Sequence, residues 1–135
     1  MEKSTDPFAL VVDDDALILM HAAHILNDAG FRCHEAGNGA EAIRVLQEHS
    51  ESIILLFSDV EMPGDIDGFA LARRVADEWP HIEIVISSGR LKPAPGDMPE
   101  RATFISKPFD HNTVHDHLRR TLPDGKKPEP LIKAV

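Results

Sequence analysis

The chain has 135 residues, enough for one ordinary core and too few for two. Apolar residues make up 42% and charged residues 27%, which suits a core of normal size under a soluble surface. Fourteen basic against 23 acidic residues leave a net charge of −9, which speaks against nucleic acid or anionic lipid as partners and favours divalent cations and basic surfaces.

Cys33 is the single cysteine, so no internal disulfide can form, and a buried structural thiol in a reducing compartment is expected. Met1 to Asp6 carries no apolar run behind a basic region, so no signal peptide is read there. The longest apolar stretches are about five residues against the roughly 18 that span a bilayer. A cytoplasmic protein with no membrane contact is the expectation.

In chain order, Phe8-Ala9-Leu10-Val11-Val12 is continuously apolar, as in a strand buried on both faces. Asp13-Asp14-Asp15 follows, then Ile18, Ala22, Ile25 and Ala29 on one helical face, with Gly30 placed as a left-handed C-cap. Phe31 to Ala36 predicts a second strand. Asn38 and Glu41 resemble a capping box for a helix reaching about His49. Ile53-Ile54-Leu55-Leu56-Phe57 is the strongest strand signal, and it runs into Ser58-Asp59. Asp67 is placed to cap a third helix with Ala72, Val75, Ala76 and Trp79 inward, stopped by Pro80. Ile82 to Ile86 predicts a fourth strand and Thr103-Phe104-Ile105 a short fifth. A last helix is expected from about Asn112, with Val114, Leu118 and Leu122 inward.

Strands alternating with helices predict an α/β domain with a parallel sheet covered on both faces. One unit breaks the rhythm. Residues 90–99 hold three prolines and a glycine, which exclude a regular helix of normal length between the fourth and fifth strands. The domain is expected over residues 8–122, after an extension of residues 1–7. Residues 123–135, with Pro123, Pro128 and Pro130, read as a flexible tail.

Chemistry gathers at the strand ends. The first strand ends at Asp13-Asp14, the third at Asp59, the fourth at Ser87 and the fifth at Lys107. In an open parallel sheet the carboxyl ends of the strands share one edge, where ligands bind. If the first and third strands are neighbours, the carboxylates of Asp14 and Asp59 can meet, and carboxylates that close need a raised pKa or a cation. Oxygen donors without sulfur or paired imidazole select Mg²⁺. A carboxylate nucleophile, a divalent metal, a lysine and a hydroxyl are what an incoming phosphoryl group needs.

The constellation resembles the receiver domain of two-component response regulators, of the stand-alone chemotaxis type. The matching pieces are Leu10 to Asp15, Ser58 to Gly64 with Asp67-Gly68, Ile86 to Gly89, and Phe104 to Phe109. The resemblance implies a doubly wound, flavodoxin-like sheet of five parallel strands in the order 2-1-3-4-5, here with its fourth helix missing or reduced. It implies phosphorylation at Asp59, and Mg²⁺ on Asp14, Asp59 and the carbonyl of Glu61, with Asp13 acting through water. It further implies that Lys107 pairs with the phosphoryl group, that Ser87 swings to bond it, and that Phe104 rotates inward in response. The Lys107-Pro108 bond is expected to be cis. The implied donor is a histidine kinase or phosphotransfer protein, and the implied state a monomer or weak dimer. The chain would be a switch and no enzyme beyond its own phosphorylation and dephosphorylation.

Plainer readings stand beside these. Asp13 to Asp15 could simply cap a helix, which is the role assigned to Asp15, and Ser87 could be an ordinary strand-end hydroxyl. Phe104 could be plain core. His21 with His24, and His111 with His115, have helical spacings but no third ligand in sequence, so solvated helix faces are expected. A flavin or nucleotide carrier would need a Gly/Ser/Thr-rich loop after the first strand, where three aspartates stand instead. An aspartate-nucleophile phosphatase would want a second aspartate two residues after Asp59, where Glu61 stands. A receiver-shaped interaction module that is never phosphorylated is the remaining alternative.

Two departures from the family pattern are visible. The loop Met62 to Gly68 looks one residue longer than the commonest form, and Glu61 adds a carboxylate that could reach the metal or obstruct a hydrolytic water. Residues 90–102 stand where the family's partner-reading surface usually has a helix, so phosphorylation is expected to reorder a loop there.

Overall fold

Every strand foreseen from an apolar run is present in the computed structural model, which describes residues 7–90 and 92–133. The strands are β1 (Phe8–Val12), β2 (Arg32–Ala36), β3 (Ile53–Asp59), β4 (Glu83–Ser88) and β5 (Thr103–Ser106). All pair in parallel, in the order β2-β1-β3-β4-β5. The helices are α1 (Ala16–Asp28), α2 (Gly39–His49), α3 (Gly68–Glu78), α4 (His111–Thr121) and α5 (Glu129–Lys133).

Alternation along the strands divides the core in two. Ala9 and Val11 of β1 and Leu55 and Phe57 of β3 face α1, α4 and α5, where they meet Ile25, Leu26, Leu118 and Leu131. Leu10, Val12 and Leu56 point the other way, onto Leu46 of α2 and Leu71 and Val75 of α3. A strand with helices on both sides must be apolar throughout, which is why β1 and β3 lack an alternating pattern.

Caps set the helix boundaries. Asp15 accepts from the N–H groups of Leu17 and Ile18, Asn38 from Glu41, and Asp67 from Ala70. Gly30 has φ +108°, as a left-handed C-cap requires. The last of the large helices, expected from about Asn112, starts at His111, because Asp110 accepts from the Thr113 N–H and caps it one residue earlier. Cys33 is half-buried in β2, and burial pushes its thiol up to about 11, an unreactive state.

Between β4 and β5 no helix forms among the described residues, as the prolines require. Residues 92–102 follow turns held by a few bonds: Ala94 N–H to Asp97 Oδ2 (2.7 Å), and Arg73 of α3 to the Asp97 carbonyl (2.8 Å). Met98 packs against the α2–α3 core in place of a helix face.

The expected flexible tail is a correction. After Pro123 a 3-10 turn (Asp124–Lys126) leads into α5, and Leu131 is buried in the α1–α4 core. Lys126 reaches Glu83 (2.7 Å) and the His81 carbonyl (2.5 Å), across the start of β4. Pro128 and Pro130 lie directly over Gly30, where an added Cβ would sit 2.5 Å from Pro128. Composition flagged the prolines but not the single leucine that docks the segment. Residues 134–135 lie outside the described residues, as do residues 1–6 of the expected N-terminal extension.

Candidate functional site

Register brings the site together. Val12 pairs with Ser58 and Asp59 with Ser87, so the residues that follow Val12 emerge beside the end of β3, and Ser87 lies on its other side. Ser88 pairs with Ser106, which carries Lys107 to the same edge, and the Lys107 N–H donates to the Ser88 carbonyl (3.0 Å). The Lys107-Pro108 bond is cis, as expected.

Asp13, Asp14 and Asp59 present carboxylate oxygens that all lie within 4.8 Å of one another. Asp13 and Asp59 are buried, at 5% and 6% exposure, while Asp14 faces solvent. Lys107 Nζ bridges the two buried acids, 2.9 Å from Asp13 Oδ2 and 2.9 Å from Asp59 Oδ1. Burial raises the Asp59 carboxyl above its ordinary range, and the charges of Asp13 and Asp14 raise it further; the Lys107 hydrogen bond opposes this without cancelling it. For Lys107, burial pulls downward, but hydrogen bonds to Asp59 and Asp13 prevail and hold its pKa up. One ammonium is thus shared by a cluster of three carboxylates, and the donor set is deficient in positive charge.

Ser87 Oγ is buried and has no hydrogen-bond partner. A buried hydroxyl without a partner is costly, and this one stands at the strand end beside Asp59. Asp15 takes no part in the cluster because its Oδ1 is occupied capping α1. The Glu61 carboxylate also turns away, toward Ser88 Oγ (3.5 Å) and the Arg90 guanidinium (3.8 Å). Phe104 is half-buried in β5 opposite Ile86 and packs with the α2–α3 core, apart from the carboxylates.

One residue matters more than the sequence reading gave it credit for. Gly68 opens α3 and donates its N–H to the Val60 carbonyl (2.8 Å), folding the loop back onto the end of β3. A Cβ there would lie 2.0 Å from the Asp59 carbonyl oxygen and 2.7 Å from Val60 Cα, so only glycine permits this approach. The signal was present, a glycine directly after a capping aspartate, but the backbone it meets is nine residues upstream. Within the Met62–Gly68 loop, Ile66 packs so closely over Gly39 that a Cβ at that position would lie 2.7 Å from it.

Comparison with known proteins matches the family model for the response regulator receiver domain to residues 9–119. The sensor kinase CckA of Brucella abortus is 32% identical over 116 residues, which are 81% of this chain but only 12% of that protein. The response regulator receiver protein CpdR of the same organism is 32% identical over 117 residues, covering 84% of this chain and 94% of CpdR. Among solved structures, the chemotaxis response regulator CheY4 of Vibrio cholerae aligns with a TM-score of 0.75 at 27% identity, covering 87% of this chain and 100% of that one.

Proposed function

Because the chain belongs to the response regulator receiver family, we propose that Asp59 accepts a phosphoryl group from a phosphohistidine donor and that the altered surface then changes what the protein binds. The observation that carries this reading is the convergence of Asp13, Asp14, Asp59 and Lys107 from the ends of three separate strands.

In the transfer, an Asp59 oxygen forms a bond to phosphorus as the phosphorus–nitrogen bond of the donor breaks, and its electron pair stays on the departing imidazole. Lys107 exchanges one of its two carboxylate partners for an oxygen of the transferred group, placing its charge where the new negative charge arrives. Ser87 supplies a hydroxyl that has no competing partner to give up. Phe104, half-buried and paired with Ile86 one residue before Ser87, would follow the hydroxyl inward.

The cluster fits a hard divalent cation, since its donors are carboxylate oxygens with too little positive charge nearby. Mg²⁺ would be held by Asp14, Asp59 and the carbonyl of Glu61, with Asp13 acting through water; when bound it would offset charge on the phosphoryl oxygens. The same reading makes residues 8–122 the switching unit. It makes the chain a cytoplasmic switch that catalyses only its own modification, with a histidine kinase or phosphotransfer protein as donor. Among the described residues, no helix is long and apolar enough to cross a membrane.

The test is intact mass after incubation with Mg²⁺ and acetyl phosphate or phosphoramidate, beside Asp59→Asn. The expected result is a gain of one phosphoryl group in the parent, absent in the variant and absent without Mg²⁺. No gain from either donor, in folded protein shown to bind Mg²⁺, would overturn the proposal and favour the module that works without phosphorylation.

A further inference from the structure

The histidines at helical spacings find their third ligand across the fold. His24 and Asp28 lie one turn apart at the end of α1, and His111 is the first residue of α4. His111 Nε2 is 2.7 Å from Asp28 Oδ2, and His24 Nε2 is 3.6 Å from the same oxygen. One ligand atom from each of the three lies within 4.8 Å of the others. In sequence the two histidines belonged to separate pairs. In the folded chain the pairs exchange members.

We propose that His24, Asp28 and His111 form a second metal site, for a borderline transition cation of the Zn²⁺ class, which ties the end of α1 to the start of α4. Two imidazoles and a carboxylate are a donor set for Zn²⁺ and its neighbours in the first transition row, and a poor one for Mg²⁺. Around a tetrahedral ion with bonds of about 2.0–2.1 Å, adjacent ligand atoms stand roughly 3.3 Å apart. The two observed separations, 2.7 and 3.6 Å, fall on either side of that value. Small rotations of exposed side chains would close the site without moving either helix.

The surroundings supply the rest. Asp28 Oδ2 is held by His111 Nε2 and faces His24 Nε2, so the carboxylate oxygen already stands between the two imidazoles. His115 lies beside His111, with ring centres 5.6 Å apart, but its Nε2–H donates to the Ile25 carbonyl (3.0 Å). It therefore walls the site and leaves the ligand set at three, with the outer position open to water. Side-chain exposures of 67%, 50% and 40% for His24, Asp28 and His111 give an ion direct access.

The experiment uses the untagged full chain carrying Asp59→Asn, in excess Mg²⁺, so that the acidic cluster does not take the added ion. Zn²⁺ binding is measured by competition with a chromophoric chelator, with the melting temperature followed in parallel. One equivalent of Zn²⁺ should bind and raise the melting temperature, and Co²⁺ should give a visible band of four-coordinate intensity. His24→Gln and His111→Gln should each weaken binding by at least about tenfold and abolish the thermal shift. His24 is exposed enough that its substitution leaves folding intact, which keeps the comparison interpretable. No stoichiometric binding would overturn the proposal, leaving only the His111–Asp28 hydrogen bond. Binding that both histidine variants leave unchanged would overturn it equally.

Discussion

Residues 89–102 and residues 123–133 are alike in composition and unlike in what they do. Both are proline-rich, and both interrupt the alternation of strand and helix. Among its described residues the first remains a run of turns, fastened to α3 by Arg73 and settled on the core by a partly buried Met98 and by Ala102. The second lays Leu131 into the core, stacks two prolines on Gly30 and joins the start of β4 through Lys126. Prolines decide whether a regular helix can form. How deeply an apolar side chain is taken up decides how firmly the segment is docked, and the hollow for Leu131 lies against α4, close in sequence, with Gly30 beneath the flanking prolines from far upstream.

The largest effect expected from breaking this contrast is at Leu131. Leu131→Ala should destabilise the protein by about 2–5 kcal/mol in urea unfolding, the usual cost of a buried leucine, because Pro128 and Pro130 already sit tight on Gly30 and cannot collapse into the space. An effect below about 0.5 kcal/mol would return the segment to the status of a tail. Next comes Lys126→Met, which removes a half-buried ion pair with Glu83 but keeps most of the apolar stem; a loss of about 1 kcal/mol is expected in the same assay. In the loop, Arg73→Ala should cost only about 0.5–1 kcal/mol, since one exposed bond to the Asp97 carbonyl is lost.

The loop should instead reveal itself by exchange. Amide protection across residues 92–102 is expected to change when a phosphoryl mimic is bound, while protection across 124–133 stays the same; equal protection in both states at the loop would show that the switch does not reach it.

The smallest effect concerns acid. Burial, reinforced by Arg120, pulls the His117 imidazole below its ordinary value of 6.5, and Thr103 Oγ1 lies 2.7 Å from its Nε2 at the exit of the loop. The unfolded chain therefore takes up this proton first as the pH falls. The stability contributed by neutral His117 is complete above 6.5 and lost as the pH drops through the lower folded value. Melting temperature should decline from about pH 7 toward about pH 5, and His117→Gln should flatten that slope.

How much of this was legible in the sequence varies with the range of the interaction concerned. The strands of the two-sided sheet, and the caps at Asp15, Asn38 and Asp67, are local signals, and each appears where its pattern indicated. Lys107 and the three aspartates were legible because they stand at the ends of recognisable strands, and parallel pairing then leaves one edge for them to share. The role of Gly68 was hidden, since it depends on the path of backbone it touches and not on its neighbours in sequence. The turn of Glu61 toward Ser88 and Arg90 was hidden for the same reason. So was the meeting of His24 with His111, from the ends of two helices separated by four strands of the chain.

The stretch without a crossover helix also bears on how firmly the lysine of the site is held. β5 follows β4 after fourteen residues, among whose described members no helix forms. Closing such a loop costs on the order of 2 kcal/mol before any pairing repays it. β5 is a four-residue edge strand, and its hold on the sheet rests on its pairing with β4 and on the cover of α4. Lys107 follows directly on β5, so whatever loosens that edge draws the lysine away from acids that stand at the ends of β1 and β3. A molecule with that edge released would carry the negative charge of the site without its one bridging cation, so the integrity of the sheet edge and the charge balance of the site are one property.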